Sequence, residues 1–546
     1  MTTASYAQGL GDRPLLGETI GQCLDRIAGA HPHAEALVDV AAGRRWTYAE
    51  LRRDVRALAL GLLEHGIAKG DRVGIWAPSS AEWTLFQYAS AQVGAVLVTL
   101  NPAYGRQELQ YVLNQSGTRL LVAAAPSGGT DPAALVDDVA SGCPMLEEVL
   151  VLGTPGWDSL ARPHGDGAAL AAREASLSAD DPINIQYTSG TTGHPKGATL
   201  SHHNILNNAD QVAAICGYTP QDRICVPVPL YHTFGMVIGK LGALTHGCCV
   251  VYPGPAFDAR ATLAAVAAER CTSLYGVPTM FIAELAAPDF ASFDLSTLRT
   301  GLMGGSPCPV EVMRQVIDRM GMAEVMIVYG MTETSPVSTQ TRADDPVERR
   351  VTTVGRPHPH VEVKIVDPST GVTTPRGVPG ELCTRGYSVM LGYWQQPEQT
   401  AQAIDAARWM RTGDLATMDG DGYVNITGRI KDMVIRGGEN ISPREIEEFL
   451  HTHPAIRDVQ VIGVPDARLG EEVMAWIQVA EGAVAPTVAA LHEFAAGRLA
   501  RYKVPRYVHV VDEYPMTASG KVRKVELRRL AVELLGLQQP AARATA

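Results

Sequence analysis

Short apolar runs alternate with longer amphipathic stretches along most of the chain. Each apolar run, closed by turn-forming residues, predicts a buried strand; these runs are RVGIWAP, RLLVAAAP, INIQYTSG, RICVPVPL, CCVVYPG, SLYGVPTM and EVMIVYGM. Stretches such as TYAELRRDVRALALGLLEHG and DARATLAAVAAER have apolar residues at helical spacing. Because continuous apolar strands that alternate with helices are typical of parallel sheets covered on both faces, the pattern predicts an α/β fold with parallel-rich sheets.

From about Val354 the pattern changes. The segments HVEVKIVD, GELCTRGYSVMLGYW and GYVNITGR are dense in Gly, Pro and β-forming residues, which predicts a β-barrel-like subdomain over about 350–430. The mixed α/β pattern then returns, and SPREIEEFLHTHP has the signals of a helix start, with Ser442 as N-cap and Pro443 in the first turn. We therefore expect a large N-terminal domain, residues 1–430, and a small mobile α/β C-terminal domain, residues 431–546.

Composition narrows the class of protein. Of the 546 residues, 46% are hydrophobic and 19% charged, which is ample material for several folded units. The net charge of −12 argues against a general nucleic-acid binder, and nine cysteines without a CxxC pair disfavour a disulfide framework or a zinc ribbon. The N-terminus lacks the features of a signal peptide, and the most apolar stretch is interrupted by Lys240 and His246. We expect a cytoplasmic protein without an integral membrane segment.

The strongest local motif, TSGTTGHPKG, directly follows the predicted strand INIQY. Its glycines free the backbone, its hydroxyl and N–H groups can surround phosphate oxygens, and Lys196 adds a positive charge. A flexible hairpin rich in Gly, Ser and Thr is the plainer interpretation, but the hydroxyl density, the lysine and the preceding strand favour phosphate binding. A Walker A loop is excluded, because its spacing is different and Gly197 follows the lysine.

This loop resembles the signature loop of the adenylate-forming (AMP-binding) superfamily. Further motifs of that superfamily follow in its order: YGMTET from Tyr329, RTGDL from Arg411, GRIKDMVIRGGENISPREIE from Gly428 and PMTASGKVRK from Pro515. The resemblance covers about residues 17–530 and is strongest to the acyl-CoA synthetase or fatty-acid–CoA ligase branch. It implies that ATP and Mg²⁺ convert a carboxylic acid into acyl-AMP with release of pyrophosphate, and that the thiol of CoA then displaces AMP.

The resemblance also implies roles for individual residues. Lys521 matches the catalytic lysine that bridges the acid and the α-phosphate, although its local sequence is equally that of a basic tail. Thr332 would position the α-phosphate and Glu333 would hold Mg²⁺. Asp414 would bind the ribose hydroxyls, with Arg429 near ribose and phosphate. The other implied ATP- and AMP-binding residues are Thr188, Ser189, Gly190, Thr191, Thr192, Gly193, Lys196, Gly304, Gly305, Ser306, Tyr329, Gly330 and Met331.

A second group of residues is implied for the acyl and CoA substrates. His232 and Phe234 resemble the aromatic gate beside the acyl pocket, and the pocket would include Met303 and Val337. Thr233 stands where amino-acid-activating relatives carry Asp, which argues against amino acids and favours an apolar acyl chain. By resemblance, Lys431 lies at the hinge about which the small domain rotates after adenylation. The residues implied for the CoA tunnel are Gly437, Gly438 and Glu439.

The favoured function is therefore an acyl-CoA synthetase for medium- or long-chain fatty acids. A ligase that loads an acyl or aryl group onto a carrier-protein pantetheine, or that serves a specialised biosynthetic pathway, would use the same adenylation chemistry. A phosphotransferase or ATPase is disfavoured by the missing Walker A loop, and a non-catalytic binding protein by the complete set of motifs. The sequence leaves open the acyl chain length and whether the chain forms a homodimer.

Overall fold

The computed structural model describes residues 3–126, 132–162, 165, 167–188, 195–517 and 521–537. It confirms the α/β class, with large parallel-rich sheets in the N-terminal part and a small α/β C-terminal part. The chain divides into two compact units. The larger unit takes in Ala7–Val363 and Thr384–Arg411, and the smaller unit takes in the described parts of Met1–Tyr6, Lys364–Cys383 and Thr412–Ala546. The predicted division into residues 1–430 and 431–546 stays a prediction.

The strands of the described residues, in chain order, are β1 (Tyr6–Gln8), β2 (Glu35–Asp39), β3 (Arg44–Thr47), β4 (Arg72–Trp76), β5 (Val96–Thr99), β6 (Thr118–Ala123), β7 (Glu148–Val151), β8 (Pro182–Thr188), β9 (Lys196–Ser201), β10 (Arg223–Cys225), β11 (Cys249–Tyr252), β12 (Ser273–Gly276), β13 (Thr300–Gly304), β14 (Glu324–Gly330), β15 (Val337–Gln340), β16 (Arg356–Pro357), β17 (Val361–Val366), β18 (Gly380–Gly386), β19 (Gly392–Tyr393), β20 (Met410–Met418), β21 (Val424–Arg429), β22 (Val434–Arg436), β23 (Glu439–Ile441), β24 (Ile456–Asp466), β25 (Gly470–Val479) and β26 (Tyr507–Val510).

The α-helices of the described residues are α1 (Ile20–Ala30), α2 (Tyr48–Glu64), α3 (Ala81–Val93), α4 (Arg106–Ser116), α5 (Pro132–Ala140), α6 (Pro155–Leu160), α7 (Gly167–Ala175), α8 (His202–Ile215), α9 (Gly242–His246), α10 (Ala259–Glu269), α11 (Pro278–Leu285), α12 (Val310–Met320), α13 (Val347–Thr352), α14 (Pro397–Ala403), α15 (Pro443–Leu450), α16 (Val488–Ala495) and α17 (Lys524–Leu534). A π-helix spans Phe234–Leu241, and short 3₁₀ helices span Phe290–Ser292, Thr332–Thr334 and Arg501–Lys503. No helix in the described part of the chain is long and apolar enough to cross a membrane.

The larger unit contains two sheets whose central strands are parallel. The nine-stranded sheet has the order β16-β15-β14-β13-β12-β10-β11-β2-β3, and its antiparallel pairs, which join β14 with β15, β15 with β16 and β2 with β3, lie at its two ends. The seven-stranded sheet has the order β19-β9-β8-β5-β4-β6-β7, with β9 and β19 antiparallel. Parallel strands bring the loops that follow them to one edge of a sheet, where ligands bind in such folds. The loops after β8, β13 and β14 carry most of the predicted nucleotide-binding residues.

A third sheet has the order β1-β17-β18-β20-β21. It contains most strands of the segment predicted to be barrel-like, and β1 from the chain start pairs at one of its edges. The sequence pattern did not indicate that pairing, because β1 has only three residues.

The last sheet, in the smaller unit, has the order β23-β22-β25-β24, with β26 pairing with β25. Successive strand residues point to opposite faces. Val461 of β24 accordingly packs in the core with Ile446 of α15 and Leu491 of α16, whereas Ile462 packs with Leu527 of α17. The C-terminal part of the smaller unit is therefore a sheet with helices on both faces, which is the mixed pattern that the sequence predicted there.

Candidate active site

The predicted phosphate loop joins two antiparallel strands. β8 ends at Thr188 and β9 begins at Lys196, and these two residues pair in the sheet. The Thr188 hydroxyl lies 3.5 Å from the Lys196 carbonyl oxygen, to which it donates. Ser189, Gly190, Thr191, Thr192 and Gly193 lie outside the described residues. The structure thus places the two ends of the predicted loop side by side at the end of a buried strand.

Neighbouring elements hold the Lys196 end of this hairpin. The Tyr111 hydroxyl of α4 donates to the Pro195 carbonyl at 3.3 Å, and the Trp394 N–H donates to the Gly197 carbonyl at 2.7 Å. Gln115 of α4 in turn donates its side-chain amide to the Trp394 carbonyl at 2.7 Å. The backbone on both sides of Lys196 is therefore fixed by hydrogen bonds to two other segments of the larger unit.

Glu333 lies in the 3₁₀ helix Thr332–Thr334, directly after β14, and is only 6% exposed. The turn is braced by the Thr334 hydroxyl, which accepts a hydrogen bond from the Met331 N–H at 3.1 Å. The Glu333 carbonyl accepts from the Met390 N–H at 2.9 Å. Because a buried carboxylate is costly without polar partners, a nearly covered Glu at the end of a strand is typical of a binding or catalytic group.

Tyr393 connects Glu333 with Lys196. Its hydroxyl donates to Glu333 Oε1 at 2.8 Å, and the Lys196 ammonium lies 5.0 Å from the centre of its ring. Burial, followed by the neighbouring Glu333 charge, raises the pKa of Tyr393, so its hydroxyl stays protonated and able to donate. Tyr393 is not among the predicted site residues, because it lies 60 residues from Glu333 and no local pattern in MLGYW indicates that partner.

The predicted glycine-rich contacts lie where β13 and β14 end. Gly304 is the last residue of β13 and is followed by Gly305 and Ser306, whereas Tyr329 and Gly330 end β14 and are followed by Met331. Gly304 pairs with Val328, and a Cβ on Gly304 would lie 2.7 Å from the Val328 carbonyl oxygen, closer than real contacts allow. Gly305 has φ +85°, where glycine is favoured. The parallel pairing thus brings both predicted segments to one sheet edge.

The four residues predicted for the acyl pocket are His232, Phe234, Met303 and Val337. Met303 and Val337 lie on β13 and β15, on either side of β14, and are 0% and 2% exposed. His232 and Phe234 are half-buried at the start of the π-helix, and the Phe234 ring lies 5.8 Å from that of Tyr275. All four residues lie in the larger unit, and their role in binding an acyl chain stays a prediction.

In the smaller unit, Asp414 and Arg429 lie together. They are opposite each other on β20 and β21, and Arg429 Nε donates to Asp414 Oδ1 at 2.9 Å. The Asp414 residue is 5% exposed, whereas the Arg429 side chain is 68% exposed. The structure therefore pairs the two residues that the resemblance implies for ribose and phosphate, and their roles stay predictions.

The residues implied for the hinge and CoA tunnel lie further along the same unit. Lys431 is exposed in the turn that follows β21. Gly437 and Gly438 form the tight turn between β22 and β23, with φ +60° and +92°, which other residues rarely adopt. Glu439 follows at the start of β23 and is exposed.

Lys521 is exposed, but its backbone is anchored. Its N–H donates to the Thr517 hydroxyl at 3.0 Å, and its carbonyl accepts from the Thr517 N–H at 2.7 Å. Met516 and Val522, the neighbours of Thr517 and Lys521, form an isolated β-bridge. A long flexible stem on an anchored backbone suits a lysine that has to reach a substrate, since the charge is compact and mobile.

The side chains of the predicted site fit a Mg²⁺ ion that one carboxylate and the substrate phosphates bind together. Among the described residues, no group of three or more His, Cys, Asp or Glu side chains could hold a metal ion. Mg²⁺ is usually bound through one or two carboxylates together with substrate phosphates and water. A single buried carboxylate, that of Glu333, matches this requirement.

Two protein-family models match the chain. The model described as AMP-binding enzyme matches residues 24–394, and the model described as AMP-binding enzyme C-terminal domain matches residues 445–521. The first range includes the phosphate loop, Glu333 and Tyr393, and the second ends at Lys521. Asp414 and Arg429 lie between the two ranges.

Proteins with similar sequences align over nearly the whole chain. The Bacillus subtilis (strain 168) protein YngI, whose name assigns it provisionally to the acyl-CoA synthetases, is 49% identical over 96% of this chain and 99% of its own length. The mitochondrial medium-chain acyl-CoA ligase ACSF2 of Danio rerio is 45% identical over 98% and 92%. Among solved structures, the anthranilate CoA ligase AuaEII in complex with anthranoyl-AMP superposes with a TM-score of 0.85 at 28% identity, over 96% of this chain and 99% of that one.

Proposed function

The chain belongs to the AMP-binding enzyme family of AMP-forming acyl-CoA ligases, and we propose that it converts a medium- or long-chain fatty acid into its CoA thioester with ATP. The observation that carries the proposal is that one side chain, Tyr393, contacts both the buried carboxylate of Glu333 and the ammonium of Lys196. This arrangement supports a single site in which Lys196 would bind phosphates and Glu333 would hold the metal that accompanies them. The medium-chain ligase named among the relatives supports a fatty-acid substrate.

In the first half-reaction, a carboxylate oxygen of the acid attacks the α-phosphorus of ATP. The bond to the oxygen that bridges the α- and β-phosphorus breaks, and pyrophosphate leaves with that electron pair. Two anions approach each other, so the step needs positive charge and oriented donors. Lys196 would bind the phosphates, and Lys521 would bridge the acid and the α-phosphate. When bound at Glu333, Mg²⁺ supplies charge that offsets the phosphates.

In the second half-reaction, the sulfur of CoA attacks the acyl carbonyl carbon. The bond between that carbon and the AMP oxygen breaks, AMP leaves, and the thiol proton passes to solvent. Asp414 would hold the ribose hydroxyls of AMP as hydrogen-bond acceptor. The turn at Gly437 and Gly438 would let backbone approach the thin pantetheine arm, because neither residue carries a Cβ.

The acyl substrate is argued from apolar surroundings. Met303 and Val337 are buried and apolar, and Phe234 adds an aromatic ring. Thr233 carries no charge that could pair with the ammonium group of an amino acid. An apolar chain therefore fits better than an amino acid. A cytoplasmic location stays a prediction, since the Danio rerio relative is mitochondrial by name.

The experiment that tests this function is a substrate panel. Purified protein is incubated with ATP, Mg²⁺ and acids from acetate to palmitate plus benzoates, each with and without CoA, and the products are identified by mass spectrometry. We expect pyrophosphate, AMP and CoA-dependent acyl-CoA, with a maximum at medium or long chains. Acyl-AMP that accumulates and does not react with CoA would support carrier-protein loading instead. Release of ADP or orthophosphate would contradict adenylation.

A further inference from the structure

Tyr393 contacts the two groups on which phosphate and metal binding would depend. Its hydroxyl donates to Glu333 Oε1 at 2.8 Å, and its ring face lies 5.0 Å from the Lys196 ammonium. A phenol hydroxyl that donates to a carboxylate fixes the direction of that carboxylate, and an aromatic face attracts a cation. One side chain therefore acts on both an anionic and a cationic group.

Hydrogen bonds fix the backbone around Tyr393 to three other groups, namely β9, Thr400 and Glu333. β19 pairs with β9, so that Tyr393 lies opposite Ala198, two residues after Lys196. The Tyr393 N–H donates to the Thr400 hydroxyl at 2.9 Å. Three residues earlier, the Met390 N–H donates to the Glu333 carbonyl at 2.9 Å. The segment is thus attached both to the strand that begins with Lys196 and to the turn that carries Glu333.

We propose that Tyr393 is a positioning residue for adenylation, which orients the Glu333 carboxylate for Mg²⁺–ATP through its hydroxyl and supports the Lys196 ammonium through its ring. The hydrogen bond to Oε1 restricts the directions in which the Glu333 carboxylate can face when a metal accompanies the phosphates. Such an outer partner fixes the orientation of a ligand before the metal arrives, so less order is lost on binding. This inference rests on the proposed function, because it assigns Glu333 and Lys196 to that site.

The test separates the hydroxyl from the ring. Tyr393→Phe removes only the hydroxyl, whereas Tyr393→Leu also removes the ring beneath Lys196. Tyr387→Phe is the matched control, since Tyr387 lies in the same segment and its hydroxyl accepts a long hydrogen bond, 3.5 Å, from Asn208. Two quantities are measured on the full chain. The first is the dissociation constant of Mn²⁺ with a non-hydrolysable ATP analogue, from the electron paramagnetic resonance signal. The second is the Mg²⁺ concentration that half-saturates acid-dependent ATP–pyrophosphate exchange.

We expect Tyr393→Phe to weaken Mn²⁺ binding by about 10-fold or more, as loss of an outer partner does at other metal sites. Its half-saturating Mg²⁺ concentration should rise in parallel, and excess Mg²⁺ should restore part of kcat. Tyr393→Leu should also raise the KM for ATP, because Lys196 loses its support. Wild-type Mn²⁺ affinity in Tyr393→Phe, or an equal shift in Tyr387→Phe, would overturn the proposal.

Failure of the proposed function gives a different result. If the wild-type protein exchanges no pyrophosphate with any acid, that function fails, while the Mn²⁺ comparison between Tyr393→Phe and wild type still decides the positioning role. If the wild-type protein exchanges pyrophosphate and the variant binds Mn²⁺ normally, only the positioning role fails. The melting temperature of each variant shows whether it is folded, and a folded Tyr393→Phe with unchanged metal binding counts against the proposal.

Discussion

At the residue scale, Lys240 is an ionisable amine in an apolar environment. It lies in the π-helix, is 1% exposed, and its ammonium makes no hydrogen bond within the described residues. The rings of Trp83 and Tyr88 lie 4.3 and 5.2 Å from it, beside a cavity about the size of one water molecule. Burial of a charge costs several kcal/mol, more than the ~2 kcal/mol that cation–π contacts return. Burial accordingly lowers the pKa of Lys240 well below its usual value.

We therefore expect Lys240→Met to stabilise the protein by about 1–3 kcal/mol at pH 7. Methionine has a similar volume to lysine and lacks the buried amine that makes no hydrogen bond within the described residues. Since the pKa of Lys240 is lower in the folded state, the unfolded state binds the proton more tightly, and the wild type becomes more stable as the pH rises toward about 10.4. The melting temperatures of the variant and wild type should thus differ less at pH 9.5 than at pH 7. Lys69→Met is the control, because Lys69 is 40% exposed and paired with Asp181; an equal pH effect there would contradict the assignment to Lys240.

Glu284 is a buried acidic residue whose pKa is raised, whereas the pKa of the buried base Lys240 is lowered. Glu284 is 1% exposed on α11, neither carboxyl oxygen makes a hydrogen bond within the described residues, and burial raises its pKa well above the usual range. A raised folded-state pKa means that the unfolded state loses its proton first, so the carboxyl destabilises the protein increasingly as the pH rises above about 4.3. We expect Glu284→Gln to raise the melting temperature at pH 7.5 and to change it little at pH 4.5. A pH-independent difference would show that Glu284 is ionised in the folded protein.

At the scale of elements, the turn between β14 and β15 decides where Glu333 lies. Gly330 ends β14, and a Cβ built on it would lie 1.7 Å from the Pro336 carbonyl oxygen. The close approach is between two backbone segments, so no side-chain rotation could relieve it. The turn that holds Met331 and Thr332 therefore depends on a glycine at this position.

We expect Gly330→Ala to lower acid-dependent pyrophosphate exchange by up to about 10²-fold, because a displacement of about 1 Å in the turn carries Glu333 with it. Overpacking should also cost about 1–3 kcal/mol of stability. Gly420→Ala is the control, since Gly420 lies in an exposed turn with nothing within 4 Å of the added Cβ. Kinetics and thermal melting of both variants are compared; a fully active Gly330→Ala would show that the turn tolerates the shift without moving Glu333.

In helix α15 the sequence predicts where the helix begins but not which group its N-cap hydroxyl contacts. The helix begins where the sequence pattern predicts, with Ser442 as N-cap and Pro443 as first residue. The Ser442 side chain does not cap the helix, however, but donates to the Thr427 carbonyl of β21. The spacing of residues predicted the helix, whereas the partner of the hydroxyl depended on a strand that packing brings alongside.

At the scale of the whole molecule, the predicted catalytic residues are divided between the two compact units. Lys196 and Glu333 lie in the larger unit, whereas Asp414, Arg429 and Lys521 lie in the smaller one. The two family models divide the chain in a similar way, with Glu333 in the first range and Lys521 at the end of the second. This division allows the half-reactions to depend on different residues.

We expect Lys521→Ala to lower adenylation by about 10²–10³-fold, the usual effect of removing one donor from a charged transition state. Thioester formation from supplied acyl-AMP and CoA should be largely retained, because that step does not use the bridging lysine. Arg529→Ala serves as control, since Arg529 is on the same basic segment and pairs with Glu526 and Glu533 on the surface. Both half-reactions are measured separately by mass spectrometry. Equal loss of the two would contradict a role confined to adenylation.

The sequence by itself determined the features that depend on neighbouring residues. Alternation of apolar runs and amphipathic stretches predicted the parallel strands β4, β6, β8 and β14 and the helix α2, because strand and helix periodicity are local properties. The ordered motifs likewise identified the family. The phosphate-loop motif was predicted to follow a buried strand directly, and its first residue, Thr188, is the last residue of β8.

Only the tertiary structure decided which distant groups meet. Tyr393 joins Glu333 to Lys196, β1 pairs with β17, and Lys240 lies between aromatic rings of α3, and no local pattern contained any of these contacts. Their partners are far apart in the chain and are brought together by sheet order and by burial of apolar surface, which is not directional. Periodicity shows which face of an element is buried, whereas the residue that it meets there depends on how all the elements pack.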